Sequence, residues 1–204
     1  MMCLRKNATA VVATAVLMLG AAACGGGNEP EADPTPIPTT SPTQSTSPTD
    51  PPGGPPEGWE DKFTRDQLNI YNAALGRWER YTELANEIYR KGKDTPEARA
   101  VLREYNLFWQ RDIVTLAQVY DEAGTREERP PEPLWTYARS IKPTQVVIIQ
   151  CTNYSEVRIT RNGEVIDNKP KHLVTPLVIQ MTKPKGRDWM FEGSTLKDKA
   201  SCAG

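Results

Sequence analysis

Apolar side chains recur at every third or fourth position behind Thr64: Tyr71, Leu75, Trp78, Thr82, Ala85 and Tyr89 fall on one stripe that reaches to about Arg90. That period predicts an amphipathic helix. Its start is marked locally, since Thr64 can cap, Gln67 three residues on can reach back, and Phe63 and Leu68 stand at the positions of a hydrophobic staple. Lys91-Gly92-Lys93 ends the pattern. Thr95-Pro96-Glu97 is a second start, with a cap, a proline at the first helical position and an acid in the first turn. Ala98, Val101, Leu102, Tyr105, Phe108, Trp109, Ile113, Leu116, Ala117 and Tyr120 then keep one face to about Glu122, with Gly124 as the stop. This stretch is one long helix or two with a break near Asn106.

Beyond it the period changes. Residues 126–133 read as turn-like, and residues 134–141 and 144–152 as strands. Residues 156–161 and 164–167 flank Asn162-Gly163, the signature of a β-hairpin closed by a type I′ turn. Residues 173–182 form a long apolar strand in which Pro176 demands an edge position or a bulge. After a turn at Pro184-Lys185-Gly186, residues 188–196 close the sheet. Helices first and an antiparallel meander after predict an α+β domain over residues 59–204, its helices packed on one face of a curved antiparallel sheet.

The first 58 residues follow neither period. Arg5 and Lys6 precede an uncharged stretch containing Val11, Val12, Val16, Leu17, Met18 and Leu19, too short for the ~20 apolar residues of a spanning helix. It ends in Ala21-Ala22-Ala23-Cys24, which resembles the lipobox of bacterial lipoproteins. The resemblance implies a signal peptide over residues 1–23, a diacylglycerol on the Cys24 thiol and cleavage before Cys24. The plainer alternative is a secretory signal cut after Ala23. At about 0.8 kcal/mol per buried CH₂, two or three acyl chains (palmitate, for example) anchor a protein durably. Ten of the chain's 18 prolines lie between Pro30 and Pro56, among Thr and Ser. Such a segment buries too little surface to offset its ordering entropy, so residues 24–58 are expected to be a disordered tether stiffened toward polyproline II. A proline-rich ligand for a partner domain is the sharper alternative.

The helical half, then Val146-Val147-Ile148-Ile149-Gln150-Cys151-Thr152-Asn153-Tyr154-Ser155, the hairpin, and Asp188-Trp189-Met190-Phe191 together resemble actinobacterial lipoproteins of the NTF2-like (SnoaL-like) superfamily, over roughly residues 66–202. The resemblance implies a cone whose sheet wraps a pocket, and pairing sheet to sheet as a homodimer. Enzymes of that superfamily place Asp, His or Tyr inside the cone. Tyr71, Trp78, Trp109, Asp112 and Tyr137 are therefore the candidate pocket lining, against the plainer reading that aromatics at helical spacing are core.

Charge and the remaining chemistry narrow the function. With 25 basic and 26 acidic residues the chain lacks the basic excess of a nucleic-acid binder. Cys3 leaves with the signal peptide and Cys24 carries lipid, so Cys151 and Cys202 remain as an even pair in an oxidising compartment, which predicts a disulfide. His172 is the only histidine, which excludes multi-His metal sites and weakens any Ser-His-Asp proposal. No phosphate loop, Cys-x-x-Cys or zinc-protease helix is present, and no metal, cofactor or catalytic residue is expected. Arg158, Arg161, Lys169, Lys171, Lys183, Lys185, Arg187, Lys197 and Lys199 make the C-terminal half basic. They read as a solvated outer face, with contact to anionic lipid or wall polymer as the sharper alternative. The leading expectation is a non-catalytic accessory or interaction module, lipid-anchored on the extracytoplasmic face of the cell membrane and meeting an envelope protein or cell-wall polymer. A small-molecule binder or enzyme using the pocket is the first alternative. A phage or prophage envelope lipoprotein acting in superinfection exclusion is the second.

Overall fold

Thr64 and Gln67 cap each other as their spacing predicts: Thr64 Oγ1 accepts from the Gln67 amide at 3.3 Å, and Gln67 Oε1 accepts from the Thr64 amide at 2.9 Å. Helix α1 then runs Arg65–Lys91 and ends at Gly92, whose φ of 56° lets its N–H reach the Ile88 carbonyl. The computed structural model describes residues 53–166, 169–197 and 202. The signal peptide, Cys24 and most of the tether predicted at residues 24–58 lie outside the described residues, as do Asp167 and Lys199.

The second helical stretch is broken. Helix α2 spans Pro96–Tyr105, with Thr95 Oγ1 capping the Ala98 amide at 3.2 Å. Asn106 is extended and fully buried, and the chain restarts as α3, Trp109–Thr115, which widens into a π-helical turn over Leu116–Glu122. Gly124 follows with a φ of 65°.

The architecture is α+β, with three helices and two antiparallel sheets where the residue pattern predicts one. The larger sheet has the order β2-β3-β6-β7, formed by Glu132–Lys142, Gln145–Asn153, Val174–Thr182 and Met190–Leu196. The smaller one, β1-β4-β5, joins Thr125–Arg129 to the hairpin Arg158–Arg161 and Glu164–Ile166. The hairpin turn is type I′ as predicted: Asn162 and Gly163 have φ of 52° and 86°, between the paired Arg161 and Glu164. Strand β1 corrects the turn-like reading of residues 126–133. Its sequence Thr-Arg-Glu-Glu-Arg has no apolar alternation, yet it pairs with β4 from Thr125↔Arg161 to Arg129↔Arg158. Pairing with a preformed hairpin supplies what its propensity does not.

Pro176 lies on β6, an interior strand, with no bulge against β3. Its carbonyl accepts from the Lys197 amide at 2.9 Å, so its imide nitrogen faces the same side, one residue past the last β6-β7 pair, Leu177↔Leu196. The neighbouring ladder has ended there, which removes the need for an edge or a bulge.

The core lies between α1 and one face of the larger sheet. Ala74, Tyr81 and Ile88 of α1 and Leu102 of α2 are buried with Val146, Ile148, Ile179 and Met181. Arg77 clamps the helices to β7: its guanidinium lies 3.7 Å over the Tyr105 ring, and it donates to the Trp189 carbonyl at 3.3 Å and to Glu104 at 3.0 Å. On the opposite face of the sheet Cys151 is bonded to Cys202, 51 residues away, as predicted. A loop of that length corresponds to about 4 kcal/mol in the chain-entropy account.

Two glycines give opposite expectations. A methyl group on Gly92 would stand 2.6 Å from the Thr125 carbonyl oxygen, in a left-handed backbone, whereas Gly76 within α1 has nothing near it. Gly92→Ala is expected to cost roughly 1–3 kcal/mol and Gly76→Ala to add about 0.5–1 kcal/mol, read as opposite shifts in the thermal unfolding midpoint.

Candidate functional site

Between α1, the α3 segment, β1 and the core face of β3 and β6, the side chains leave a cavity of about 240 Å³. Helix α1 contributes Trp78, Tyr81, Thr82, Ala85, Asn86 and Tyr89, at helical spacing along one side. The sheet contributes Gln150 and Thr152 of β3 and Leu177 of β6, which alternate with residues on the other face. Phe191 of β7 lies against both Trp78 and Tyr81, with ring centroids 5.1 and 5.5 Å away.

The polar groups are paired along the wall. Trp78 Nε1 donates to Gln150 Oε1 at 2.9 Å, and Gln150 Nε2 donates to Thr152 Oγ1 at 3.1 Å. Asp112 enters the wall because the chain breaks at Asn106. The Asn106 side-chain amide donates to Asp112 Oδ2 and, at 3.3 Å, to the Tyr81 hydroxyl, and its oxygen accepts from the Phe108 amide at 2.8 Å. From outside the cavity, Arg111 Nε approaches Asp112 Oδ1 at 3.3 Å. The second carboxyl is Glu127 on β1, which accepts a hydrogen bond from the Tyr120 hydroxyl. Tyr120 in turn packs on Tyr89, centroids 4.6 Å apart.

Burial sets the proton affinities here. It raises the Asp112 carboxyl above the usual carboxylate range, opposed in part by Arg111. It raises Glu127 likewise, opposed by the Tyr120 hydrogen bond. The Tyr81 hydroxyl is pushed up to about 12 by burial, and those of Tyr89 and Tyr120 are also raised, so all three remain neutral donors at physiological pH.

Of the five candidate lining residues, the structure brings Trp78 and Asp112 together in this cavity and places the other three elsewhere. Tyr71 is core beside β2, its hydroxyl 3.2 Å from Thr136 Oγ1. Trp109 is half-buried and packs against the core, with the Arg103 guanidinium 5.2 Å over its ring. Tyr137 faces the other side of the sheet, 6.0 Å from Trp135 and 6.3 Å from Trp59, in a groove of about 400 Å³. Glu127, Tyr81, Gln150 and Thr152 were not among the candidates. Gln150 and Thr152 did carry a signal, two polar residues at strand spacing within an apolar run.

A larger depression of about 560 Å³ lies at the β4-β5 hairpin. Its basic groups are committed: Arg129 to Glu156 at 3.0 Å, Arg158 to Glu128 at 2.8 Å, and Lys169 to the Ser155 carbonyl at 2.6 Å. The cavity beneath α1 is the better candidate because buried polar groups converge there. Among the described residues no group of three or more His, Cys, Asp or Glu is arranged to hold a metal ion, and no helix is long and apolar enough to cross a membrane.

Burial holds Glu127 above its unfolded value, so its protonated form favours the folded state. That stability is complete below the unfolded value of about 4.3 and is lost as pH rises through the folded one. Glu127→Gln keeps an acceptor for Tyr120 and removes this titration. Its thermal midpoint is expected to exceed that of the unchanged protein at neutral pH, with the gap closing below about pH 4.

Comparison of the chain with protein-family models, with curated proteins and with solved structures returned no match.

Proposed function

We propose that this chain is a lipid-anchored extracytoplasmic protein whose domain, an NTF2-like cone in this reading, binds a small molecule beneath α1. The single observation that carries the binding reading is the cavity itself. Apolar and aromatic side chains line it, and Gln150, Thr152, Asp112 and Glu127 converge on it. Ligand sites have this composition, a mostly apolar concavity with few positioned polar groups. Its volume, about 240 Å³, lies under the ~300–1,000 Å³ of drug-sized ligand pockets, so the ligand is small. The two carboxyls are held by hydrogen bonds on separate elements, and no nucleophile–base pair accompanies them, which favours binding over catalysis. The lipobox resemblance at Cys24 supports the membrane anchor.

A second reading has its own observation. The groove on the opposite sheet face, lined by Trp135, Tyr137, Ile149 and Val178, favours an accessory module that meets another protein or a second copy of this chain there.

Binding is tested by the thermal midpoint of the full chain against a panel of small molecules. Ala85 lines the cavity, so Ala85→Leu is expected to abolish any midpoint rise while leaving the circular dichroism spectrum unchanged. A panel in which nothing raises the midpoint contradicts the binding reading. For the anchor, Cys24→Ser is expected to move the protein from the detergent-rich to the aqueous phase in phase partition.

A further inference from the structure

The charge of the cavity wall narrows the ligand, on the premise that the cavity binds one. Its lining carries two carboxyls, Asp112 and Glu127, and no lysine, arginine or histidine. The neighbouring basic side chains Arg111 and Arg126 are not part of the lining. Arg111 is largely exposed and meets Asp112 from outside, and Arg126 donates to the Tyr120 and Thr125 carbonyls at 2.6 and 2.5 Å. The rest of the wall includes four aromatic side chains, Trp78, Tyr81, Tyr89 and Phe191, of which Tyr81 is stacked on both Tyr105 and Phe191. Aromatic faces attract cations through their quadrupole, most strongly when the cation is desolvated. An anion entering here would meet two acids and no basic side chain in the lining.

We propose that the cavity beneath α1 selects a small organic cation, an ammonium group held beside the Trp78, Tyr89 and Phe191 rings and neutralised by Glu127 and Asp112. Burial makes both carboxyls costly to ionise while the cavity is empty, and a bound cation offsets that cost. The cavity volume of about 240 Å³ suits a trimethylammonium-sized head.

The test uses the full chain in a non-ionic detergent and three probes of one shape. These are choline, the alcohol in which a tert-butyl group replaces the trimethylammonium, and the tert-butylacetate anion. Calorimetric titration is expected to give choline binding at least about tenfold tighter than the neutral alcohol, with no binding of the anion. Glu127→Gln is expected to weaken choline about tenfold and to leave the neutral alcohol unchanged. Equal affinity for choline and the neutral alcohol overturns the cation assignment while leaving a ligand cavity in place. If neither of those two binds and Ala85→Leu changes nothing for the wider panel, the binding reading fails along with it. Tighter binding of the anion also overturns the assignment.

Discussion

The side chain of Asn106 is the constraint on which the arrangement turns. It is fully buried, and each of its polar atoms is used: the amide nitrogen toward Tyr81 and Asp112, the oxygen toward the Phe108 amide. Its backbone bridges Phe191 of β7, and the Leu107 amide donates to the Phe191 carbonyl at 2.8 Å. The break separates α2 from α3, and Asp112 of α3 lies in the aromatic wall, bonded to the Asn106 amide. A buried amide with every bond made is worth keeping, since leaving any of its partners unpaired costs about 1–3 kcal/mol.

The same logic runs through the cavity. Leu or Ile at Gln150, Thr152 or Glu127 would fill space and remove desolvation costs. The chain instead carries polar side chains there and satisfies them with Trp78, with one another and with Tyr120. Stability forgone at one place, beside a core otherwise closely packed from Ala74 to Met181, is the pattern expected where a surface is kept for a ligand. Away from the cavity the stabilising devices are ordinary: caps at Thr64 and Thr95, the Arg77 clamp and the Cys151–Cys202 bond.

Much of the fold was legible because it is local. Helix starts at Thr64 and Thr95, the stop at Gly92, the Asn162-Gly163 turn and the cysteine pair all follow from chemistry within a few residues or from counting, whereas the sequence leaves one helix or two open around Asn106. The reading failed where pairing partners decide structure. Strand β1 has no apolar residue and exists because β4 offers it a ladder. The division into two sheets depends on that same pairing. The site was half legible for a related reason. The apolar stripe of α1 is wider than the one read from it, with Ala74, Tyr81 and Ile88 buried at its centre, so Tyr81 was passed over while Tyr71 was included. Trp109 packs at the edge of the core and Tyr137 on the opposite sheet face, a distinction that depends on which face of an element meets the core and not on residue type.

The central claim is that a ligand enters beneath α1, and the five tryptophans allow it to be tested at one atom. Each indole N–H gives its own nitrogen–proton NMR signal, and Trp78 is the tryptophan in the cavity wall, its N–H bonded to Gln150. On titration with choline the account predicts that the Trp78 signal moves and saturates while those of Trp109, Trp135 and Trp189 stay in place. Movement of Trp135 with Trp78 unchanged would put the ligand on the outer sheet face and contradict the account.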